Sequence, residues 1–193
     1  MKLLEDKILN ESVVLNDEIL KVDGFINHQV DPKLMKEIGE EFAEYFKDRG
    51  ITKVATIESS GISPALMTAL ALGVPLIIMK KSPSNVMKTD LFHTEVVSFT
   101  KGSSYELTVS KSHISENDHV LIIDDFLANG EASTGAIRLV RKGNATIAGV
   151  GILIEKSFQA GRNKLNEAMI EVYSLARIES LKGGIIQFKK QEN

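Results

Sequence analysis

The feature that most constrains the fold of this chain is the segment 120–132. It reads Val-Leu-Ile-Ile-Asp-Asp-Phe-Leu-Ala-Asn-Gly-Glu-Ala: four apolar residues, two acids, two further apolar residues and a loop of small residues. A continuous apolar run such as 120–123 is typical of a strand that is buried on both faces of a parallel sheet. The two acids then fall at the carboxyl end of that strand, where open α/β folds bind their ligands.

The rest of the chain repeats this pattern of strands and helices. The predicted strands are 51–57, 74–79, 120–123 and 145–154, with short late strands at 170–173 and 185–188. The predicted helices begin at Pro32, Ser63 and Glu131 and end at Gly50, Gly73 and Gly143. Segments 95–99 and 105–109 are predicted as an antiparallel excursion from the main sheet. This alternation predicts an α/β fold, a mostly parallel twisted sheet flanked by helices.

Four polar clusters directly follow predicted strands. They are 58–61, Lys80-Lys81, 124–132 and Glu155-Lys156. Because the carboxyl ends of parallel strands meet at one edge of a sheet, we expect these clusters to line a single crevice. Any one of them taken alone is equally compatible with a solvated strand end.

Composition narrows the classes of function. A length of 193 residues is typical of one domain, here 1–193, and a net charge of −3 argues against a sequence-independent nucleic-acid binder. The chain has no cysteine, which excludes disulfides and thiol catalysis. Its N-terminus carries acids and does not read as a secretory signal, and no apolar run approaches the ~20 residues of a membrane span. We therefore expect a cytoplasmic protein with no membrane partner.

The acid pair and the loop after it suggest a sugar phosphate as ligand. Ionised Asp124 and Asp125 are acceptors that match the two hydroxyls of a ribose. The small residues 128–132 let a ligand approach the start of the next helix, whose free N–H groups form an anion site. Alternatives are a magnesium-binding pair of a nucleotide hydrolase, which the absence of a Gly-Lys-Ser/Thr loop disfavours, and a purely structural pair.

Segment 120–132 resembles the phosphoribosyl-pyrophosphate (PRPP) signature of the type I phosphoribosyltransferases, and the form of its loop is most similar to that of the xanthine-specific bacterial members. The resemblance extends from about Leu15 to Leu181. It implies a type I phosphoribosyltransferase fold in which residues 82–110 form a mobile antiparallel hood and residues 1–30 contribute to base binding.

The resemblance also implies roles for the polar clusters. Asp124 and Asp125 would orient the ribose as the catalytic pair. The PRPP-binding residues would be Ala128, Asn129, Gly130, Glu131 and Ala132 for the 5′-phosphate, and Glu58, Ser59, Ser60, Gly61, Lys80 and Lys81 for the pyrophosphate. Related enzymes often have Thr where this chain has Asn129 and Ala132, and hypoxanthine–guanine relatives carry an acid in place of Ala128.

Three residues would read the base by the same resemblance. Leu20 would pack on it, Asn27 would form a hydrogen bond with it, and Lys156 would donate to it. Lysine carries only donors, which suits a purine with an oxygen at C6. The alternatives from the residues alone are a core position for Leu20, a loop position for Asn27 and a solvated Lys156 paired with Glu155. Phe126 suits either stacking on the purine or the core.

The implied activity is transfer of a 5-phosphoribosyl group from PRPP to N9 of xanthine in purine salvage, giving xanthosine 5′-monophosphate and pyrophosphate. Mg²⁺ would be carried by PRPP and not by protein ligands, and relatives suggest a homodimer. One alternative is a hypoxanthine or guanine phosphoribosyltransferase. Another is a PRPP-sensing transcription regulator, which would need a DNA-binding domain, whereas only about thirty residues precede the α/β pattern.

Overall fold

The computed structural model describes residues 1–81, 90–98 and 103–189. Its helices are α1 (Lys2–Glu11), α2 (Pro32–Phe46), α3 (Ile62–Leu72), α4 (Glu131–Lys142) and α5 (Gly161–Glu167). Its strands are β1 (Val13–Val14), β2 (Leu20–Lys21), β3 (Lys53–Ile57), β4 (Leu76–Met79), β5 (Leu91–Ser98), β6 (Ser103–Ser110), β7 (His119–Leu127), β8 (Thr146–Lys156), β9 (Val172–Ser180) and β10 (Gln187–Phe188). Three short 3₁₀ segments complete these elements: Lys47–Arg49, Lys111–His113 and Lys182–Gly184.

The central sheet has the strand order β10-β9-β8-β7-β3-β4. Strands β9, β8, β7, β3 and β4 are parallel to one another, and the edge strand β10 pairs with β9 in the antiparallel sense. The register places Ile57 beside Met79 and Leu127 beside Glu155. The carboxyl ends of β3, β4, β7 and β8 therefore open onto one edge, as the sequence predicts, and the α/β fold class is confirmed.

Hydrophobic clusters cover both faces of this sheet. On one face α2 contributes Ile38, Phe42 and Phe46, all fully buried. On the other face α4 contributes Leu139 and Val140, also fully buried. Burial on both faces explains why the central strands read as continuous apolar runs instead of alternating ones.

The predicted antiparallel excursion is present and longer than expected. Strands β5 and β6 pair over their full lengths, and an isolated bridge between Lys80 and Thr108 joins β6 to the end of β4. Arg138 of α4 donates to the hydroxyl of Thr94 at 2.9 Å, which ties the pair to the sheet domain. The predicted hood 82–110 also includes 82–89 and 99–102, which lie outside the described residues.

Several predicted boundaries are wrong, each for an identifiable reason. Strand β7 continues to Leu127 and β8 to Lys156, so the acids that were expected after these strands lie within them. The late strand that was predicted at 170–173 is β9, which spans Val172–Ser180. The prediction ended too early because Ser174 and Arg177, which bind a buried carboxylate, interrupt the apolar run of this strand. Helices α1 and α5 were not predicted; half of the residues of α1 are charged, and it buries only Leu4 and Ile8.

No helix in the described part of the chain has both the length and the apolar character needed to cross a membrane.

Candidate active site

The acid pair lies at the centre of the sheet edge. Asp124 is only 7% exposed and Asp125 is half-buried. The backbone N–H of Asp125 donates to Asp124 Oδ1 at 3.1 Å, and that of Phe126 donates to Asp125 Oδ1 at 3.0 Å. Burial, together with the neighbouring charge of Asp125, raises the pKa of Asp124 well above its ordinary value, and the positive charge of Lys81 opposes this shift.

The loop 58–61 follows β3 and lies against this pair. A Cβ placed on Gly61 would lie 3.4 Å from Asp124 Oδ1 and inside the contact distance of the Thr56 hydroxyl, so the close approach requires glycine. The peptide between Glu58 and Ser59 is cis. Thr56 is fully buried, and its hydroxyl has no hydrogen-bond partner among the described groups.

The basic pair after β4 is held by the same loop. Glu58 Oε1 accepts the backbone N–H of Lys81 at 2.7 Å, and Glu58 Oε2 lies 3.3 Å from Lys80 Nζ. The ammonium of Lys81 lies 5.9 Å from the centre of the Tyr105 ring on β6. Glu58 therefore connects the two clusters that were expected to share a pyrophosphate.

The loop 128–130 leads directly into α4. Gly130 has φ +82°, a left-handed conformation that favours glycine, and its carbonyl accepts both the N–H and the hydroxyl of Thr134 at 2.9 and 2.7 Å. The N–H groups of 131–133 belong to the first turn and have no intrahelical acceptor. The pocket at this helix start has a volume of about 140 Å³ and is lined by Val96, Val97, Tyr105, Phe126 and residues 128–133.

Lys156 is not paired with Glu155, so that alternative is wrong. Its ammonium donates to the carbonyl of Glu18 at 2.6 Å and lies 5.5 Å from the centre of the Phe126 ring. Burial lowers the pKa of Lys156. These contacts bring the N-terminal segment that carries Leu20 to the end of β8.

The other two predicted base-binding residues are placed differently from each other. Leu20 is 6% exposed and belongs to the hydrophobic cluster against which Phe126 packs. Asn27 is exposed on the loop between β2 and α2, and its side chain makes no hydrogen bond among the described residues. The structure therefore brings Leu20 to the cluster that contacts Phe126 and places Asn27 on an exposed loop.

A cluster that sequence reasoning missed lies directly beside Lys156. Glu155, which is 1% exposed, accepts hydrogen bonds from Arg162, Arg177, Ser174 and Ser157. Burial opposes the ionisation of Glu155, but the hydrogen bonds from Arg162, Ser174 and Ser157 outweigh it and lower the pKa to about 2. The signal that could have revealed the cluster is an acid at the end of one apolar strand and an arginine within the next.

The described part of the chain shows no clustered ligands for a metal ion. Within residues 1–81, 90–98 and 103–189, no group of three or more histidine, aspartate or glutamate side chains is arranged to hold one. The acid pair, with the ammonium of Lys81 close enough to act on Asp124, instead suits a sugar that carries its own phosphates. An ion such as Mg²⁺ that prefers substrate oxygens and water would fit this donor set as part of the substrate.

Comparison with known proteins gives one family. The family model described as "Phosphoribosyl transferase domain" matches residues 29–192. A xanthine phosphoribosyltransferase of Agathobacter rectalis is 63% identical over 93% of this chain and 93% of its own length. Those of Clostridium acetobutylicum and Bacillus mycoides are 57% and 54% identical, over 97% and 100% of this chain and 100% and 98% of their own lengths.

Solved structures share the fold at lower identity. Adenine phosphoribosyltransferase of Trypanosoma brucei, in complex with AMP, pyrophosphate and ribose-5-phosphate, has a TM-score of 0.76 at 20% identity and covers 90% of this chain and 79% of its own. The Giardia lamblia enzyme, in complex with 9-deazaadenine, has a TM-score of 0.75 at 22% identity, over 90% and 97%. At these identities the likeness concerns the fold alone.

Proposed function

This chain belongs to the phosphoribosyltransferase family, and from that membership we propose that it transfers the 5-phosphoribosyl group of PRPP to N9 of xanthine. The products are xanthosine 5′-monophosphate and pyrophosphate, a reaction of purine salvage. The observation that carries the proposal is the meeting of Asp124, Gly61 and Lys81 at one sheet edge, in a chain whose curated relatives are xanthine phosphoribosyltransferases.

The phosphate-binding end of the site supports PRPP as the donor. The N–H groups at the start of α4 are suited to the 5′-phosphate, with Asn129 beside them. The loop 58–61 and the ammonium groups of Lys80 and Lys81 are suited to the pyrophosphate. Asp124, which lies against the loop 58–61, and Asp125 would accept hydrogen bonds from the ribose hydroxyls.

The base end supports a purine with oxygen at C6. Lys156 is a donor-only side chain whose ammonium is held by the Glu18 carbonyl and the Phe126 ring. Adenine carries an amino group at C6 instead of an oxygen. That amino group and the ammonium of Lys156 would both be hydrogen-bond donors, with no acceptor between them. Leu20 belongs to the hydrophobic cluster against which Phe126 packs, and we propose that it packs on the base and that Asn27 reaches the base when it is bound.

The chemistry needs positioning and charge stabilisation but no protein nucleophile. The bond between C1 of the ribose and the pyrophosphate oxygen breaks, and the bonding electrons leave with pyrophosphate. The lone pair of N9 forms the new bond to C1 of the ribose, and the proton of N9 passes to solvent water. The carboxylates of Asp124 and Asp125 face the positive charge that develops on the ribose, while Lys80 and Lys81 face the negative charge of the leaving group.

Mg²⁺ is the cofactor that we propose, bound to PRPP and pyrophosphate. When bound it would neutralise part of the pyrophosphate charge. The ion would be held mostly by oxygens of PRPP and pyrophosphate, while Asp124 and Asp125 remain the proposed partners of the ribose hydroxyls.

The proposal is tested by initial rates with PRPP and each of xanthine, guanine, hypoxanthine and adenine. The expected result is the highest kcat/KM with xanthine and the lowest with adenine. A higher value with hypoxanthine or guanine would reassign the base. No turnover with any base, together with a DNA shift that responds to PRPP, would favour the transcription regulator.

We also propose a homodimer in the cytoplasm. Leu66 and Leu70, one helical turn apart on α3, are 49% and 73% exposed and would be covered by a second copy. A cytoplasmic location fits a substrate whose several phosphate charges keep it from crossing membranes. Sedimentation equilibrium tests the first statement, and cell fractionation tests the second.

A further inference from the structure

The short helix α5 touches the phosphate loop at a glycine. The N–H of Gly161 donates to the carbonyl of Ala128 at 2.9 Å. A Cβ on Gly161 would lie 2.7 Å from Leu127 Cδ1 and 3.0 Å from the amide nitrogen of Gly130, and inside the contact distance of the Ala128 carbonyl oxygen. Because no side-chain atom fits there, only glycine allows α5 to support the loop from behind.

A second contact from α5 concerns charge. The ammonium of Lys164 forms an ion pair with the carboxylate of Glu131, the first residue of α4. Glu131 lies beside the N–H groups that are proposed to hold the 5′-phosphate. A carboxylate without a counter-charge at this position would repel a phosphate, whereas the pair with Lys164 neutralises it.

A third contact fixes α5 to the sheet. Arg162 donates to Glu155 at 2.9 Å, to the carbonyl of Val172 at 3.1 Å and to the hydroxyl of Ser174 at 2.9 Å. Glu155 is buried and directly precedes Lys156 on β8. Helix α5 therefore connects the phosphate loop to the strand that carries the base-reading lysine.

We propose that Gly161, Arg162 and Lys164, here called the α5 brace, are positioning residues for PRPP. The brace holds the loop 128–131 in the conformation that binds the 5′-phosphate. It also neutralises the carboxylate of Glu131, which would otherwise repel that phosphate. It acts through Ala128, Glu131 and Glu155, and the identity of its ligand rests on the proposed function.

The first test is Gly161→Ala, with Asn163→Ala as the matched control on the exposed side of the same helix. A displaced loop should raise KM for PRPP about tenfold or more, because small misplacements in a binding site are costly. KM for xanthine should stay within about twofold, since the atoms nearest to a Cβ on Gly161 belong to Leu127, Ala128 and Gly130 and not to Leu20 or Lys156. Asn163→Ala should change neither constant. An equal rise in both constants for Gly161→Ala, or no rise, overturns the proposal.

The second test separates charge from structure. Lys164→Ala should raise KM for PRPP about threefold, in line with a partly exposed ion pair. Adding Glu131→Gln to this variant should return KM towards the original value, because the repelling charge is then gone. If the ion pair served only to hold the two helices together, KM for PRPP would stay raised in the double variant, because the ion pair is still absent. Failure of the rescue overturns the electrostatic part of the proposal.

A binding measurement without base keeps this inference separate from the proposed function. PRPP with Mg²⁺ should raise the thermal midpoint of the unaltered protein, and Gly161→Ala should lose most of that rise. If PRPP binds but xanthine is not used, the proposed base is wrong and the brace is still tested by the PRPP shift. A folded Gly161→Ala protein that keeps the full shift overturns the brace. If that variant does not fold, the Lys164 and Glu131 series decides.

Discussion

The ammonium of Lys156 lies 5.5 Å from the centre of the Phe126 ring, so the last residue of β8 faces the aromatic residue that follows the acid pair on β7. The two strands are neighbours in the sheet, with Phe126 beside Ile154. A base seated at this point would meet a donor and a ring edge while its sugar reaches Asp124 and Asp125. The contact thus joins the two halves of the proposed site.

Lys156→Met should raise KM for xanthine by about tenfold or more, because it removes a charged donor and keeps the apolar stem. KM for PRPP should change little. The measurement is initial rates with each substrate varied in turn, and Lys182→Met, an exposed lysine far along the chain, is the control. Equal losses for both substrates would contradict a base-reading role.

Asp124→Asn should lower kcat at least about a hundredfold, as expected for a group that faces developing charge. The same change should raise the thermal midpoint by a few degrees, because the buried charge beside Asp125 is removed. Asp118→Asn is the control. Asp118 is also buried but pairs with Lys53 at 3.0 Å, so its loss should lower stability and leave kcat near normal. A near-normal kcat in Asp124→Asn would contradict the proposed catalytic role of Asp124.

Lys81→Met should raise KM for PRPP about tenfold by removing a charged partner of the pyrophosphate. The dependence of that KM on salt concentration should weaken as well, because one exposed cation is lost. Lys36→Met, on the exposed side of α2, provides the comparison. An unchanged KM for PRPP would exclude Lys81 from the leaving-group site.

The stability of the protein should depend on pH through Glu155. Its pKa is about 2 in the folded state against an ordinary value of 4.5, so its contribution is present above pH 4.5 and is lost as the pH falls towards 2. The contribution is on the order of 3 kcal/mol. The free energy of unfolding, measured with urea between pH 2 and 6, should depend less on pH in Glu155→Gln than in the unaltered protein. Glu179→Gln, an exposed acid on β9, should keep the original dependence.

Much of the proposed phosphate-binding side could be predicted from the sequence. The acid pair, the loop 128–132 and the loop 58–61 are each continuous in the chain and follow apolar runs. The parallel sheet then brings them together, as expected from those runs alone. The observed strand ends differ from the predicted ones by a few residues. The hydrophobic pattern of the sequence does not show where a polar residue still forms the backbone hydrogen bonds of a strand. Asp124, Asp125, Glu155 and Lys156 all lie inside strands for this reason.

The sequence by itself determined the fold class and the segments that form the proposed sugar-phosphate pocket, because both depend on short local runs whose hydrophobicity and residue size dictate their structure. Only the tertiary structure decided the base end and the α5 brace. Glu18, Phe126 and Lys156 are far apart in the chain, and Arg162 finds Glu155 only because β8 and β9 are neighbours. Contacts of this kind depend on packing and on the pairing of buried charges, and no local pattern records which partner a buried charge will find.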